Sequence, residues 1–147
     1  MENMTAVKAF FMTVIGATGG GIAQLFGGWG PALTTLMVFM AIDYITGIIT
    51  AGVFHKSEKT KSGALESHEG WKGLCRKGGT LLVVLVAYRL DLMLGSSYLK
   101  DAVIIAFIAN ETISIIENVG LMGVPIPAPI SRAIEVLKEK SEDKKED

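Results

Sequence analysis

The sequence has few of the residues on which enzymatic and metal sites depend. Cys75 is the only cysteine, so an intramolecular disulfide is excluded. The two histidines, His55 and His68, have no Cys or His partner at the spacing of a metal site. The chain also lacks a Ser/His/Asp set and a phosphate-binding glycine motif. We therefore expect no catalysis, no cofactor and no metal.

The net charge is also small, and long parts of the chain contain few charged residues. The formal net charge is −1, which gives no reason to expect a nucleic-acid partner. Half of the residues are hydrophobic and the mean hydropathy is +0.43. The charged residues are crowded into two blocks, and the segments between these blocks are long and nearly free of charge.

Four apolar runs result from this distribution. They cover residues 9–26, 31–54, 78–96 and 98–121. Each is close to the roughly 20 residues that a helix needs to cross a bilayer, and a chain of 147 residues cannot bury four such helices. A cleaved signal peptide is the alternative for the first run, but no small-residue cleavage site leads into a soluble domain. The sequence predicts an all-α integral membrane protein with four transmembrane helices.

The basic residues predict the orientation of these four helices. The N-terminal segment, the loop 55–77 and the tail share one side of the membrane and hold 12 of the 14 Lys and Arg residues. Because basic loops stay in the cytoplasm, we predict that both termini and this loop are cytoplasmic. Residues 1–128 then form the transmembrane domain, and residues 129–147 form a charged cytoplasmic tail.

The tail begins after a proline-rich segment, "VPIPAP", that ends the fourth helix. Ile130, Ile134 and Leu137 share one face, which predicts a short amphipathic helix before the final stretch of mixed charge. Two interpretations stay open. The tail is either a solvated segment or a helix that lies along the inner leaflet with its apolar side down.

Ionisable side chains occur inside the predicted spans, where each costs about 3 kcal/mol to insert. At about 1.5 Å per residue, Asp43, Arg89 and Glu111 lie near the midplane. Asp91 lies nearer the outer end and Glu117 nearer the inner end. Four acids thus accompany one arginine. We expect at least two of the acids to be protonated, hydrated or satisfied by another subunit.

The fourth run carries its polar side chains on one face. At about 100° per residue they form a stripe about 120° wide, which contains Asn110, Glu111, Ser114, Glu117 and Asn118. Such a stripe must face protein or water. One interpretation is that it bonds to neighbouring helices, with Arg89 pairing with Asp43 or Glu111. The other, which the surplus of acids favours, is that the stripe lines a path that becomes wet.

Small residues at a spacing of four favour close approach between membrane helices. Gly16 and Gly20 have this spacing in the first run, and Gly47 and Ala51 have it in the second, on the face of Asp43. Since four helices enclose little volume, any sizeable hole requires several copies of the chain.

Three segments resemble the phage holin family that also includes clostridial toxin-secretion holins. They are "DYITG", which contains Asp43, Thr46 and Gly47, "SHEGWKGLCRKGG", which contains Ser67, Gly70, Gly73 and Lys77, and "NETISIIENVGLMGVPIP", which starts at Asn110. The similarity runs from about Ala41 to Ile130. Its most specific part is the N-E-x-x-S-x-x-E-N block followed by P-x-P.

This resemblance implies a holin: a small multi-pass protein of the bacterial cytoplasmic membrane that self-assembles and permeabilises that membrane. An endolysin, or a large toxin in related systems, is then released, and this cargo protein need not contact the holin directly. The residues we assign to the pore or to oligomerisation are Asp43, Thr46, Gly47, Arg89, Asp91, Asn110, Glu111, Ser114, Glu117 and Asn118. Two alternatives stay open, namely an antiholin-like regulator and a small ion- or proton-conducting channel or transporter with Asp43, Arg89 and Glu111 as a relay.

Overall fold

Five α-helices make up most of the chain in the computed structural model, which describes residues 2–143 and the side chains of residues 3–136. They are α1 (Glu2–Leu25), α2 (Pro31–Gly52), α3 (Ser67–Leu94), α4 (Leu99–Leu121) and α5 (Ala128–Asp143). Over residues 2–143 there is no β-strand, and the predicted all-α class is confirmed. Residues 144–147 of the predicted tail and the side chain of Leu137 lie outside the described part.

Local residue chemistry accounts for the helix ends. Pro31 stands at the start of α2, where its missing N–H is not needed. Gly95 ends α3 with a φ of 65°, a left-handed conformation that glycine adopts without strain. Residues 122–127 contain two prolines and separate α4 from α5. The α5 helix occupies the position predicted for the amphipathic segment.

Within the described residues, three helices are long and apolar enough to cross a membrane: Asn3–Leu25, Pro31–Gly52 and Leu99–Leu121. The α3 helix is longer than any of these, but Lys77, Arg89 and Asp91 interrupt its apolar part. Three of the four predicted spans therefore match helices of suitable length and composition. The third corresponds to a helix whose charged residues need partners elsewhere in the protein.

The start of α3 differs from the prediction, because the helix begins at Ser67 inside the segment 55–77 that was predicted as a loop. Hydropathy marks where a helix enters apolar surroundings. It does not mark where the helix begins, since a helix with its internal backbone hydrogen bonds can extend beyond the apolar region into water. This extension places Lys77 within a helix that packs on its neighbours.

The α2, α3 and α4 helices form a three-helix unit, in which α3 packs on α4 and α2 has its most extensive contact with α4. One end of the unit carries the short connections 26–30 and 95–98, and we call it the turn end. The other end carries residues 53–66, and we call it the loop end. The apolar core lies toward the turn end and consists of Leu33, Leu36, Met40, Val84 and Ile104.

The α1 helix makes little contact with this unit, and Ala23 is its one buried residue among those described. Gly16, Gly19, Gly20 and Gly21 have no non-local atom within 4 Å of where a Cβ would stand. The small-residue face of α1 is therefore uncovered in a single chain.

Contacts at the turn end attach the α1–α2 connection to α3 and α4. Gly27 has a φ of 76°, and a Cβ at this position would lie 2.7 Å from ring atoms of Tyr88. Lys100 Nζ donates a hydrogen bond to the carbonyl oxygen of Phe26 at 3.2 Å and lies 5.1 Å from the centroid of the Tyr88 ring. Only glycine fits at position 27, for both conformational and steric reasons.

The Gly27→Ala variant is expected to be less stable than the wild type by about 1–3 kcal/mol, because alanine is strained at positive φ and collides with Tyr88. Thermal unfolding of the purified protein in mild detergent measures this difference. Gly30→Ala is the matched control, since Gly30 has an extended backbone and open space around its Cβ position. Equal unfolding midpoints for the two variants would contradict the packing described here.

Candidate functional site

The centre of the three-helix unit is an ion cluster formed by one residue from each helix. Lys77 Nζ of α3 lies 2.8 Å from Asp43 Oδ2 of α2 and 2.6 Å from Glu111 Oε2 of α4. The exposed fractions of these side chains are only 14%, 9% and 13%, respectively. We call Asp43, Lys77 and Glu111 the ion cluster. Because the charges are largely buried, removing one of them would leave an opposite charge without its partner in the interior.

The Tyr44 side chain provides a second contact between α2 and α3. The ring of Tyr44, next to Asp43 in sequence, lies against α3 at Gly70 and Gly73. Cβ positions on these two glycines would be 3.8 Å and 3.9 Å from the Tyr44 side chain. Both distances are ordinary van der Waals contacts. Tyr44 thus packs α2 on the part of α3 that precedes Lys77.

A second set of hydrogen bonds continues from Asp43 toward the loop end. Asn118 Nδ2 donates to Asp43 Oδ1 at 3.2 Å and to Thr46 Oγ1 at 3.1 Å. Thr50 Oγ1 donates to the Thr46 and Asn118 carbonyl oxygens at 2.8 Å and 3.3 Å. Gly47 lies alongside, with its Cβ position 3.7 Å from Asn118 Nδ2. These bonds hold α2 against α4 and satisfy the buried amide of Asn118.

Asp91 serves a separate purpose at the turn end. Its Oδ1 accepts the backbone N–H of Leu99 at 3.1 Å, and its Oδ2 accepts that of Lys100 at 2.9 Å. The hydroxyl of Ser96 also donates to Oδ1. The buried Asp91 carboxylate therefore caps the N-terminus of α4, where free N–H groups and the helix dipole favour a negative charge.

The predicted polar stripe of α4 is divided between the interior and the surface. Glu111, Ser114 and Asn118 face the other helices, whereas Asn110 and Glu117 are exposed. Arg89 is also exposed, on α3. The cation that contacts Asp43 and Glu111 is Lys77, so the alternative in which Arg89 pairs with one of them is wrong. A proton relay of Asp43, Arg89 and Glu111 has no support either, because Lys77 and not Arg89 contacts the two acids.

The expected surplus of unsatisfied acids is also wrong, as Asp43, Glu111 and Asp91 show. Asp43 and Glu111 share Lys77, and Asp91 accepts hydrogen bonds from Ser96 and from the start of α4. Among the described side chains, every buried nitrogen or oxygen atom has a hydrogen-bond partner. Counting charges within apolar runs missed the lysine just outside the third run and the backbone donors at a helix start.

Lys77, Tyr44 and Thr50 are the participants that residue-by-residue reasoning did not assign to the site. Lys77 stands among the basic residues of the predicted loop, so composition marks it as solvated. Its position in the "GWKGLCRKGG" segment of the resemblance was the available signal. Thr50 lies seven residues after Asp43 on the same helix face, a spacing that helical periodicity makes detectable.

A cavity of about 220 Å³ adjoins the ion cluster on the side of the loop end. Its walls come from α2, α3, α4 and the 57–66 segment, and its lining includes Asp43, Lys77, Glu111 and Ser114. Most of the surrounding surface is apolar, from residues such as Ile48 and Leu65. The described residues contain no group of His, Cys, Asp or Glu that could hold a metal ion.

Removing the cation of the ion cluster should be costly, because two carboxylates then remain largely buried without it. Lys77→Met is expected to lower the free energy of unfolding by about 3 kcal/mol. The triple variant Asp43→Asn/Lys77→Met/Glu111→Gln should recover most of that loss, since neutral groups of similar shape carry no such penalty. Denaturant unfolding in detergent micelles measures both values.

The Lys72–Glu69 pair provides the control for this comparison. Its Nζ–Oε1 distance is also 2.6 Å, but the Lys72 side chain is half exposed. The hydrogen bond from Lys72 lowers the pKa of the Glu69 carboxyl below its usual value. Since exposed pairs contribute little, Lys72→Met should leave the unfolding midpoint unchanged. A loss as large as that of Lys77→Met, or no recovery in the triple variant, would contradict the role of burial.

Comparison with known proteins identifies the family of the chain. Residues 20–139 match the bacteriophage holin family, whose members are membrane proteins without enzymatic activity. The chain is 36% identical over 115 residues to a "Probable holin" of Bacillus phage phi105, covering 78% of this chain and 79% of that protein. No solved structure matches the chain.

Relatives in bacteria are similar at comparable levels. An "Uncharacterized 14.9 kDa protein in nagH 3'region" of Clostridium perfringens is 39% identical over 118 residues, which cover 79% of this chain and 83% of that protein. The protein Lin0175 of Listeria innocua is 36% identical over 123 residues, which cover 83% and 82%. With its apolar helices and a family match that includes Asp43, Lys77 and Glu111, the chain is a membrane protein that belongs to the bacteriophage holin family.

Proposed function

We propose that the protein is a holin, which assembles from several copies in the bacterial cytoplasmic membrane and opens a non-selective lesion for an endolysin or a large exported toxin. The observation that carries this proposal is the family match over residues 20–139, which contains the complete ion cluster and the α4 stripe. The phage phi105 relative, itself named a probable holin, supports the same function.

A four-span arrangement with both termini in the cytoplasm is part of the proposal. The α3 helix contacts α4 from Lys77 at the ion cluster to Asp91 at the start of α4, and it contacts α2 through Lys77 and Asp43. If α2 and α4 cross the membrane, α3 crosses with them. The partners of Lys77 and Asp91 remove most of the cost that their charges would otherwise impose in lipid.

The exposed aromatic residues support this placement. Trp29 and Tyr98 are exposed at the turn end, and Trp71 is exposed near the start of α3 at the loop end. Trp and Tyr favour the two interfaces of a bilayer. Between Trp71 and Leu94, α3 has a length of about 35 Å, enough to span the hydrocarbon of a membrane. The loop end, with most of the basic residues, then faces the cytoplasm.

The single chain corresponds to the closed state in this proposal. Its ion cluster and Asn118 network hold the polar groups of α2, α3 and α4 against one another, while apolar side chains such as Ile105 and Val86 face outward. At high surface density, mass action favours assemblies in which the α4 stripe turns toward water. Gaining hydration offsets the contacts that the three helices lose.

In this proposal the membrane potential restrains the change, because the ion cluster has a formal charge of −1. Moving one elementary charge across 100 mV is worth about 2.3 kcal/mol. Collapse of the potential would release that energy at once across all copies and trigger assembly early. We therefore propose that the protein accumulates in its closed state and opens abruptly.

The glycine face of α1 is the surface that we assign to contact between copies. Gly16, Gly19 and Gly20 are bare in the single chain, and small residues allow membrane helices to approach closely. Residues 1–19 lie outside the family match, so this contact would be particular to chains with a similar first helix.

Inducible expression in bacteria, with and without a cytosolic muralytic enzyme, tests the proposed function. We expect abrupt loss of viability in both strains and lysis only where the enzyme is present, because the lesion must pass a folded protein. Release of ions without release of the enzyme would favour the channel or transporter alternative. Delayed lysis on co-expression with a known holin would favour the antiholin alternative.

The same assay separates the functional from the structural role of the ion cluster. The triple variant Asp43→Asn/Lys77→Met/Glu111→Gln should insert and accumulate normally, yet lyse late or not at all, since it has no charge to gain hydration. Lys72→Met should lyse on the wild-type schedule. Wild-type timing in the triple variant would remove the ion cluster from the opening mechanism.

A further inference from the structure

The cavity beside the ion cluster has a use that the release of a cargo protein does not require. It opens among residues of the loop end, including Ser57, Lys59 and Thr60, and it ends just past the ion cluster, at Thr80 and Asn110. We propose that this cavity is a water-filled vestibule in each single chain, and that an apolar plug seals it from the opposite side. The directions given below rest on the orientation under Proposed function.

The size of the cavity and the charged residues at its inner end indicate what it contains. A buried water needs only about 10–15 Å³ of comparable space and two to four polar partners. The cavity offers about 220 Å³, together with the Asp43, Lys77 and Glu111 side chains and the Ser114 hydroxyl. Charged groups at the bottom of an open space of this volume are hydrated. Water and small hydrated solutes are therefore its occupants.

The plug is the apolar core already described, Leu33, Leu36, Met40, Val84 and Ile104, whose members are almost fully buried. Val84 follows Lys77 by seven residues, and Ile104 precedes Glu111 by seven. At 1.5 Å per residue, the plug thus starts about 10 Å beyond the ion cluster on α3 and α4, and about 5 Å beyond it on α2, where Met40 precedes Asp43 by three residues. Aqueous access stops between the ion cluster and the plug.

It follows from the vestibule and the plug that water and small solutes can enter one half of the protein but not the other. The cytoplasmic half contains the vestibule, and the outer half is closed by tightly packed side chains. Small solutes from the cytoplasm reach Asp43 and Glu111 without any assembly of copies, whereas solutes from outside do not. Hydration of the ion cluster from one side only also explains how its formal charge of −1 is accommodated within the membrane.

Thiol labelling on membrane vesicles tests the vestibule. In a Cys75→Ala background, Ser114→Cys and Thr80→Cys place a thiol in the cavity lining from two different helices. Ile105→Cys is the matched control, because Ile105 is well exposed but faces lipid in the proposed arrangement. Ile104→Cys reports on the plug. The probe is a membrane-impermeant cationic methanethiosulfonate, applied to right-side-out or inverted vesicles at low expression.

We expect the two cavity thiols to react at least tenfold faster than the Ile105→Cys thiol, from the cytoplasmic face only, and the Ile104→Cys thiol to stay unreactive from both faces. Cavity thiols that react no faster than the control would overturn the vestibule. Reaction from both faces, or at Ile104→Cys, would overturn the plug. Reaction from the outer face alone would keep the vestibule and reverse the proposed orientation, so the two failures are distinguishable.

Discussion

The contact of Lys77 with Asp43 and Glu111 is the interaction on which the rest of the structure depends. It is the one place where α2, α3 and α4 meet through charged groups. The two ion pairs offset the free-energy cost of burying these charges and hold the three helices together. Without it, α3 would carry a buried cation and its neighbours would carry two buried anions. With it, α3, whose apolar part is interrupted by charged residues, lies alongside two helices that are long and apolar enough to cross a membrane.

The molecule has two ends with different physical character. The turn end is held by apolar packing, by the carboxylate of Asp91 at the start of α4, and by Tyr88 and Lys100 against the residues around Gly27. The loop end is held by the Asn118 network and contains the cavity. This division accounts for a chain that is firmly closed on one side and accessible on the other, which is the state that we propose for a single copy before assembly.

Hydropathy predicted most of this fold, because membrane-length apolar runs leave few choices. The bounds of α1, α2 and α4 agree with the predicted spans to within a few residues at most ends, and helical periodicity placed Glu111, Ser114 and Asn118 on one face. The N-terminal start of α1, at Glu2, is the main exception among them. Resemblance to the holin family, based on three segments, is confirmed by the comparisons.

The pairing of the charges could not be predicted in the same way. Choosing Lys77 over Arg89 requires knowing that α3 extends back to Ser67 and how it is aligned with α2, and the alignment depends on tertiary packing. The role of Asp91 depends on the tight turn that brings it over the start of α4.

A charge-exchange cycle between positions 77 and 111 tests the central claim most directly. The measured quantity is the coupling free energy in unfolding between Lys77→Glu and Glu111→Lys, taken from the two single variants and the double variant in detergent. If the two side chains are in contact, each single variant is strongly destabilised and the double variant recovers at least 1 kcal/mol beyond additivity. Strictly additive losses would show that Lys77 and Glu111 do not meet, and would contradict the account.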